Sequence, residues 1–310
     1  MNRVLVTGCS GFLASHLLKL LLQDGKSKIF GITEVPGFSY PQVEVNQVDI
    51  RRRDDMFYLL KNVRPDITFH LAAVTNVGFA WKNSHLTYEV NFIGSSNLLE
   101  ALLAVSPRSR LVLMSSAEVY CSAGKTPINE GSPTQSQNPY ALSKLAMEML
   151  GDLYWETHGL NVCKLRAFNF TGPGQDKKFV ASDFASQIAA IEKGKQEAMI
   201  RVGNLAAVRD FSDVRDMARY VQVIGQRGKG GAVYNLGSGQ SYSIKRILDI
   251  LLSLAKKSIR VEVDAAKFRP LDNPQITGDC ARIESEFGLR PEIAMEKTLL
   301  DLLDYWRELP

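Results

Sequence analysis

Near its start the chain contains the run Arg3-Val4-Leu5-Val6-Thr7-Gly8-Cys9-Ser10-Gly11-Phe12-Leu13-Ala14. Its first five residues are short, apolar and rich in β-branching, which predicts a buried strand, and the stretch from His16 to Leu22 predicts a helix. The glycines therefore lie in a strand-to-helix turn. Gly8 permits the tight turn, Gly11 lets a phosphate approach the helix N-terminus, and Ala14 takes the helix-packing position. The run predicts the phosphate-binding turn of a dinucleotide-binding fold.

Strands and helices alternate along the first 165 residues of the sequence. After the first unit we predict strands at Lys28 to Thr33, Gln42 to Asp49, Ile67 to Leu71, Arg110 to Met114 and Asn161 to Arg166. Helices are predicted at Arg53 to Asn62, through Asn91 to Val105, and around Tyr140. This alternation predicts an α/β fold with a doubly wound parallel sheet of the Rossmann type, with its cofactor at the carboxyl ends of the strands.

The later part of the chain is less regular, with loops rich in Gly, Pro and Asn. One further strand, Gly231 to Leu236, is expected to return to the main sheet. We therefore predict a dinucleotide-binding domain from residues 1–165 plus about 205–237, and a smaller, mostly C-terminal α/β substrate domain from about 166–204 plus 238–310.

Composition favours a soluble protein with a full apolar core. The chain has 310 residues, 45% of them hydrophobic, with a mild net charge of +4, and the basic run Arg51 to Arg53 is followed by Asp54 and Asp55 as at a solvated helix start. No apolar stretch approaches the ~18 to 20 residues of a membrane span, and Met1 to Arg3 leads into a strand rather than a signal peptide. We expect a cytoplasmic protein without nucleic-acid or membrane partners. The four widely spaced cysteines predict neither a metal site nor disulfides: Cys9, Cys121, Cys163 and Cys280.

Tyr140 and Lys144 are four residues apart, so both lie on one face of the predicted helix. A nearby ammonium lowers the pKa of a phenol and lets it exchange a proton near neutral pH. Ser115 and Ser116 follow a predicted strand, and strand alternation directs only one of them into the cleft. Such a trio activates a C–OH/C=O couple for hydride transfer, which requires a hydride carrier.

Together these motifs resemble the extended short-chain dehydrogenase/reductases that act on nucleotide sugars, and the resemblance covers nearly the whole chain. It rests on Thr7 to Ala14, His70-Leu71-Ala72-Ala73, Asn91, Ser115-Ser116, Tyr140 to Lys144 and Arg166 to Asn169. Two later regions are most similar to the GDP-6-deoxy-D-mannose reductases and, next, to the GDP-mannose 4,6-dehydratases: Asn169 to Gln175 with Phe179 to Ala185, and Val202 to Phe211.

The resemblance implies hydride transfer from NADPH or NADH to the C4 ketone of a GDP-4-keto-6-deoxyhexose, with Tyr140 as the proton donor. It also implies that Ser116, four residues before Tyr120, is the serine in the cleft. The implied cofactor-binding residues are Gly8, Ser10, Gly11, Phe12, Leu13, Thr33, Asp49, Ile50, Leu71, Ala72, Ala73, Asn91, Tyr140 and Lys144, the last on the nicotinamide ribose. The implied GDP-sugar contacts are Ser116, Asn169, Val180, Arg209, Arg269 and Asp272.

A diphosphate requires cations, and Arg209 and Arg269 are predicted in loops from which their guanidinium groups can supply bidentate forks. The alternative for Arg209 is a surface ion network with Asp210, Asp213 or Asp216. The segment from Asp213 to Asp216 itself predicts a capped helix start rather than catalysis.

Glu118 is compatible with a second reaction besides ketone reduction. In the dehydratases a carboxylate at this offset takes the C5 proton during elimination of water, so a GDP-mannose 4,6-dehydratase is the alternative activity. The short chain, and the lack of basic residues in Ala181-Ser182-Asp183, favour the reductase. A UDP-hexose 4-epimerase and a non-catalytic dinucleotide-binding protein are further alternatives, although a binding protein has no need of the proton-transfer trio.

Cofactor choice and assembly also have alternatives. Thr33 occupies the position at the end of the second strand where a carboxylate would bind the adenosine 2′-hydroxyl, and Glu34 follows it, so NADPH and NADH both stay possible. Asp49 and Ile50 are expected beside the adenine.

The Tyr140 helix has more apolar residues than one sheet-facing stripe needs, so we predict a homodimer, with burial inside one subunit as the alternative.

Overall fold

The computed structural model describes residues 2–121, 127–264 and 273–310. A seven-stranded, all-parallel sheet forms its centre, with the strand order β3-β2-β1-β4-β5-β6-β10. These strands are β1 (Asn2–Thr7), β2 (Ser27–Thr33), β3 (Val43–Gln47), β4 (Ile67–His70), β5 (Arg110–Ser116), β6 (Val162–Ala167) and β10 (Val233–Leu236). The order reverses at β1, and ligands of doubly wound sheets bind at such a switch point. The predicted fold class is confirmed, and the strand expected at 231–236 joins the sheet beside β6.

Helices cover both faces of this sheet. On one face α1 (Phe12–Asp24) packs against α8 (Val214–Arg227), with α10 (Ala281–Phe287) beside β10. On the other face lie α2 (Arg53–Val63), α5 (Gly94–Val105) and α6 (Pro139–His158). Two short helices, α3 (Val77–Lys82) and α4 (Ser84–Tyr88), contact α6 near the carboxyl ends of the strands. Apolar side chains are therefore buried on both faces, as a parallel sheet requires.

A second apolar core forms from the later part of the chain. It lies among α7 (Val180–Glu192), α9 (Ile244–Ser253) and α11 (Met295–Glu308). A four-stranded sheet lies beside it, containing β7 (Asn169–Thr171), β9 (Val208–Asp213), β11 (Ser241–Ser243) and β13 (Gln275–Ile276), and β8 (Met199–Val202) pairs with β12 (Arg260–Val263). The predicted boundaries between the two domains stay a prediction.

Two elements differ from the sequence-based expectation. β5 continues through Ser115 and Ser116, which pair in register with Arg166 and Ala167 of β6. The helix expected from Asn91 to Val105 instead begins with a π-helical turn, Glu89–Ile93, before α5. Single π-helical turns are often found at functional sites.

Candidate active site

A cleft of about 690 Å³ opens at the carboxyl ends of the central strands. One wall contains the β1–α1 turn, the ends of β2, β4 and β5, and the start of α6, and we call it the sheet wall. The opposite wall runs from Ala167 to Ala181, and we call it the loop wall. The structure brings most predicted cofactor residues to the sheet wall: Gly8, Ser10, Gly11, Phe12, Leu13, Thr33, Asp49, Ile50, Leu71, Ala72, Ala73, Tyr140 and Lys144.

The glycine turn depends on two positions that lack a Cβ, Gly8 and Gly11. Gly8 has a φ of 67°, and a Cβ placed there would lie 2.8 Å from the Ala72 Cα. A Cβ on Gly11 would lie 3.0 Å from the Gly8 carbonyl oxygen. Gly11 also forms the N-cap of α1 without a side chain to bind the helix N–H groups. The turn therefore fits the close approach of dinucleotide phosphates to a helix N-terminus.

Behind the turn, a chain of buried hydrogen bonds connects β1 through the end of β4 to α5 and the π-helical turn before it. The Ala72 N–H donates to the Thr7 hydroxyl at 3.1 Å, and that hydroxyl lies 2.8 Å from His70 Nδ1. His70 Nε2 lies 2.9 Å from the Ser95 hydroxyl, which donates to the Asn91 carbonyl at 2.6 Å. Burial, with the Lys144 charge nearby, lowers the His70 pKa to about 3. His70 is therefore neutral and fixes the floor of the sheet wall.

Asn91 was expected to bind the cofactor, but it does not line the cleft. Its amide accepts from the Val74 N–H at 2.7 Å and donates to the Val74 carbonyl at 2.9 Å. It also donates to the Ser143 hydroxyl at 2.9 Å, which in turn donates to the Tyr140 carbonyl. Asn91 thus holds the loop after β4 and the start of α6 in place, so its contribution to binding is through these segments.

At the far end of the sheet wall, Thr33 is buried and its hydroxyl lies 2.7 Å from that of Ser10. The same hydroxyl accepts from the Val35 N–H at 3.1 Å, while Glu34 is exposed at the cleft edge. Arg51 also lines this end, where its guanidinium binds the Asp49 carboxylate. The exposed Glu34 carboxylate and the Arg51 guanidinium, already paired with Asp49, therefore line the end of the cleft where we predict the adenosine ribose.

The predicted trio comes together at the nicotinamide end. Tyr140 and Lys144 are buried, the Tyr140 hydroxyl is hydrogen-bonded to Ser116, and Lys144 Nζ donates to the Met114 carbonyl at 2.7 Å. Burial raises the Tyr140 pKa to about 12 and lowers the Lys144 pKa to about 8. Burial of the phenol outweighs the Ser116 hydrogen bond, which lowers the pKa, and the Glu118 charge adds to the rise, so the net shift is upward; the expected lowering by Lys144 stays a prediction. Tyr140 is therefore protonated across the neutral range.

Glu118 lies in a 3₁₀ turn, residues 117–119, directly after β5, and it lines the cleft. Its backbone N–H donates to the Ser116 hydroxyl at 3.2 Å. Its carboxylate accepts from Asn138 Nδ2 at 3.1 Å, and Asn138 Oδ1 accepts from the Ala141 N–H at 2.8 Å. Asn138 is the N-cap of α6, so one side chain holds both the catalytic helix and Glu118.

Sequence reasoning missed a buried ion pair beneath the trio. Glu148 binds Arg166 with contacts of 2.6 to 3.1 Å, and the Ser115 hydroxyl donates to the same carboxylate. Ser115 lines the cleft beside Ser116, but its hydroxyl is directed to Glu148. The eight-residue separation of Tyr140 and Glu148 is a signal in the sequence, since it keeps both on one helical face.

The predicted substrate residues divide into three groups. Ser116, Asn169 and Val180 line the cleft. Arg209 does not line it; it is buried in β9 and donates to the Val208 carbonyl at 2.8 Å. Arg269 and Asp272 lie outside the described residues.

The acidic partners proposed for Arg209 are bound by other groups. Asp210 accepts from Ser238, Gly239 and Gly278, and Asp216 accepts from Arg219 and from the N–H groups of Glu292 and Ile293. Asp213 is the N-cap of α8, as the sequence predicts.

Three comparisons with known proteins agree with this geometry. Residues 5–302 match the family model described as GDP-mannose 4,6 dehydratase. The chain is 33% identical over 308 residues to the GDP-6-deoxy-D-mannose reductase of Pseudomonas aeruginosa, covering 98% of this chain and 97% of the relative.

Two solved structures are similar over nearly their whole length. The structure of RMD from Pseudomonas aeruginosa complexed with NADPH has a TM-score of 0.86 and 31% identity, with 99% of each chain covered. The UDP-glucose 4-epimerase of Thermus thermophilus complexed with NAD has a TM-score of 0.87 and 26% identity, again with 99% of each chain covered.

Within the described part of the chain, no helix has the length and apolar character needed to cross a membrane. The predictions of a nucleotide-sugar enzyme and of NADP or NAD as cofactor are confirmed by the comparisons. The chain belongs to the GDP-mannose 4,6-dehydratase family, whose members are NAD(P)-dependent enzymes of nucleotide sugars.

Proposed function

We propose that the protein reduces the C4 ketone of a GDP-4-keto-6-deoxyhexose to the GDP-6-deoxyhexose, with Tyr140 as the proton donor. The observation that supports this direction is the protonated, buried phenol of Tyr140, with a pKa of about 12, hydrogen-bonded to Ser116 at the cleft. The similarity to the Pseudomonas aeruginosa GDP-6-deoxy-D-mannose reductase supports the substrate class.

In this reaction the reduced nicotinamide supplies a hydride to C4 of the sugar when it is bound. Tyr140 transfers its phenolic proton to the C4 oxygen as negative charge develops there, and the Ser116 hydroxyl hydrogen-bonds the same oxygen. The Lys144 ammonium stabilises the phenolate that remains, and it also binds the nicotinamide ribose hydroxyls. Each hydride therefore requires one proton from Tyr140, which solvent restores after the product leaves.

Charge around Tyr140 favours the reductive direction. A dehydratase or an epimerase starts by oxidising C4, so its tyrosine must accept a proton from the sugar hydroxyl. Here both burial and the Glu118 carboxylate oppose ionisation of Tyr140. A neutral phenol is an acid rather than a base, and this is the state that ketone reduction needs.

Recognition of the GDP-sugar is assigned to the loop wall and its neighbours. Asn169 and Val180 line the cleft opposite Ser116 and contact the sugar and nucleotide in this proposal. Arg209, Arg269 and Asp272 are assigned to the diphosphate and ribose by resemblance to the reductases. Arg209 is buried in β9 and does not line the cleft, which opposes its assignment.

The second candidate is a GDP-mannose 4,6-dehydratase with Glu118 as the C5 base. It is favoured by the position of Glu118 in the cleft and by the description of the matching family model. The bond from Asn138 opposes it, because the amide already occupies one oxygen of that carboxylate at 3.1 Å. A UDP-hexose 4-epimerase, the activity named for the Thermus relative, needs the same oxidising tyrosine as the dehydratase.

Glu118→Gln separates the two leading reactions. Gln keeps an oxygen that accepts from Asn138, so a reductase loses on the order of tenfold or less in kcat, whereas a dehydratase without its base loses roughly two to four powers of ten. Turnover is followed by mass spectrometry with GDP-4-keto-6-deoxymannose plus NADPH or NADH, and separately with GDP-mannose alone. The matched control is Glu156→Gln, which removes the same charge from an exposed position of α6 that does not line the cleft.

We expect the wild-type protein to oxidise NADPH or NADH with the 4-keto sugar and to release no water from GDP-mannose. A 4-keto product formed from GDP-mannose without added reductant, with a large loss in Glu118→Gln, would establish the dehydratase instead.

A further inference from the structure

The Glu148–Arg166 ion pair lies directly beneath the predicted catalytic trio. Both side chains are nearly inaccessible, at 3% and 8% exposure, and the closest contact is 2.6 Å. A buried ion pair adds little to stability on average, because desolvation of two charges offsets their attraction. Its position therefore suggests a role other than stability.

The pair joins the three elements from which the trio comes. Glu148 is on α6, one helical turn after Lys144, and it accepts from Ser115, the residue before Ser116 on β5. Arg166 is on β6, in register with Ser115. One carboxylate thus fixes α6 against the ends of β5 and β6, which sets the separation of Ser116 from Tyr140.

On its other side, Arg166 extends the connection away from the cleft. Its guanidinium carbon lies 4.7 Å from the centre of the Tyr120 ring, and Nη1 donates to the Glu130 carbonyl at 3.2 Å. The Tyr120 hydroxyl donates to Asn235 of β10 at 2.6 Å. Arg166 is therefore held from several directions, so it holds Glu148 rigidly.

The charges around Lys144 come from three elements. Glu148 faces it from α6 and stabilises the ammonium, while Arg166 of β6 is paired to that carboxylate. His70 faces it from β4 and is neutral. Glu148 is the negative group on these elements that opposes the effect of burial on Lys144.

We propose that Glu148, held by Arg166, is a positioning residue for the reaction: it fixes Ser116 relative to Tyr140 and keeps Lys144 charged. This inference rests on the proposed roles of the trio. Glu148 does not touch the substrate in this proposal; it acts through Ser115 and Lys144.

The test is Glu148→Gln, which keeps size and hydrogen-bonding oxygen but removes the charge. Without the carboxylate the Lys144 pKa falls further, so the ammonium is lost at lower pH. We expect kcat at pH 7 to fall on the order of tenfold, KM to change less than about threefold, and the alkaline limb of the kcat profile to move down by about one pH unit.

Glu192→Gln is the matched control. Glu192 pairs with Arg307 at 2.8 Å, with the side chains 8% and 16% exposed, and this pair joins α7 to α11 away from the trio. It should lower the melting temperature as Glu148→Gln does, while leaving kcat and the pH profile as in the wild type. If the two variants show the same kinetics, Glu148 is merely structural and the proposal is wrong.

A double variant and a cofactor-binding measurement test the role of Glu148 even if Glu148→Gln does not fold or the enzyme does not turn over. If Glu148→Gln is not recovered folded, Glu148→Met with Arg166→Met removes both charges and keeps apolar volume, a replacement that buried pairs often tolerate; unchanged kcat in this double variant overturns the proposal. The pH dependence of NADPH binding, followed by nicotinamide fluorescence, needs no turnover. A wild type that binds NADPH but does not reduce the 4-keto sugar refutes the proposed function, while the shift of the binding profile in Glu148→Gln still tests Glu148.

Discussion

The two walls of the cleft are built by different means. On the sheet wall, Thr7, His70, Ser95 and Asn91 hold one another through buried hydrogen bonds. On the loop wall, Asn169 and Lys178 are exposed and belong to the segment between β6 and α7. The sheet wall is thus organised before any ligand arrives. The loop wall combines a buried Gln175, which accepts from Thr171 and donates to the Phe170 carbonyl, with these exposed side chains. We propose that the sheet wall carries the chemistry and that the exposed side chains of the loop wall select the sugar.

The largest effect is expected at Tyr140. Tyr140→Phe removes the transferable proton and preserves the ring, so kcat should fall by roughly two to four powers of ten with little change in NADPH affinity. Steady-state turnover and NADPH fluorescence titration measure the two quantities. Tyr154→Phe, near the C-terminal end of the same helix, is the control and should leave kcat unchanged. Near-normal turnover in Tyr140→Phe would remove the assignment of chemistry to the sheet wall.

A smaller effect is expected at the glycine turn. Gly8→Ala places a Cβ 2.8 Å from the Ala72 backbone at a φ of 67°, so the turn must shift. NADPH affinity should fall by roughly tenfold to a hundredfold, since the phosphates approach this backbone closely. Gly25→Ala is a strict control, because Gly25 has a φ of 64° with nothing within 4 Å of the added Cβ. Equal NADPH affinity in the two variants would mean that the turn is not where the cofactor binds.

The smallest effect on catalysis is expected on the outer face of α6, away from both walls. Leu142, Met149 and Leu153 are 45%, 65% and 52% exposed and follow one another at helical spacing. We predict that this stripe packs against the same helix of a second subunit, so Met149→Asp should give a monomer with kcat within about twofold of wild type.

Light scattering at micromolar concentration measures the mass. Val263→Asp, at a position 62% exposed on β12, is the control and should stay dimeric. A monomer mass for the wild type would contradict the prediction.

The sequence predicts the sheet wall well because local spacing determines it. The glycine turn needs only a strand, two glycines and a helix, and the Tyr140–Lys144 pair needs only one helical turn. The predicted fold class and the cofactor class depend on these local patterns, and both are confirmed.

What could not be predicted depends on contacts between distant segments. Arg166 reaches Glu148 through the β5–β6 register, which no local pattern reveals. Arg209 was expected in a loop at the diphosphate, but pairing of β9 with β7, β11 and β13 buries it. Asn91 was assigned to the cofactor, yet a π-helical turn directs its amide to Val74. The roles of these residues in binding and catalysis stay predictions.

Asn138 couples the start of α6 to the side chain of Glu118. Its oxygen begins the helix that contains Tyr140, and its nitrogen holds the carboxylate of Glu118. A substitution at position 138 therefore acts on the proposed proton donor and on the candidate base at once, and a single exchange there cannot separate the two effects. A substitution at position 118, by contrast, leaves the capping bond from the Ala141 N–H to Asn138 in place.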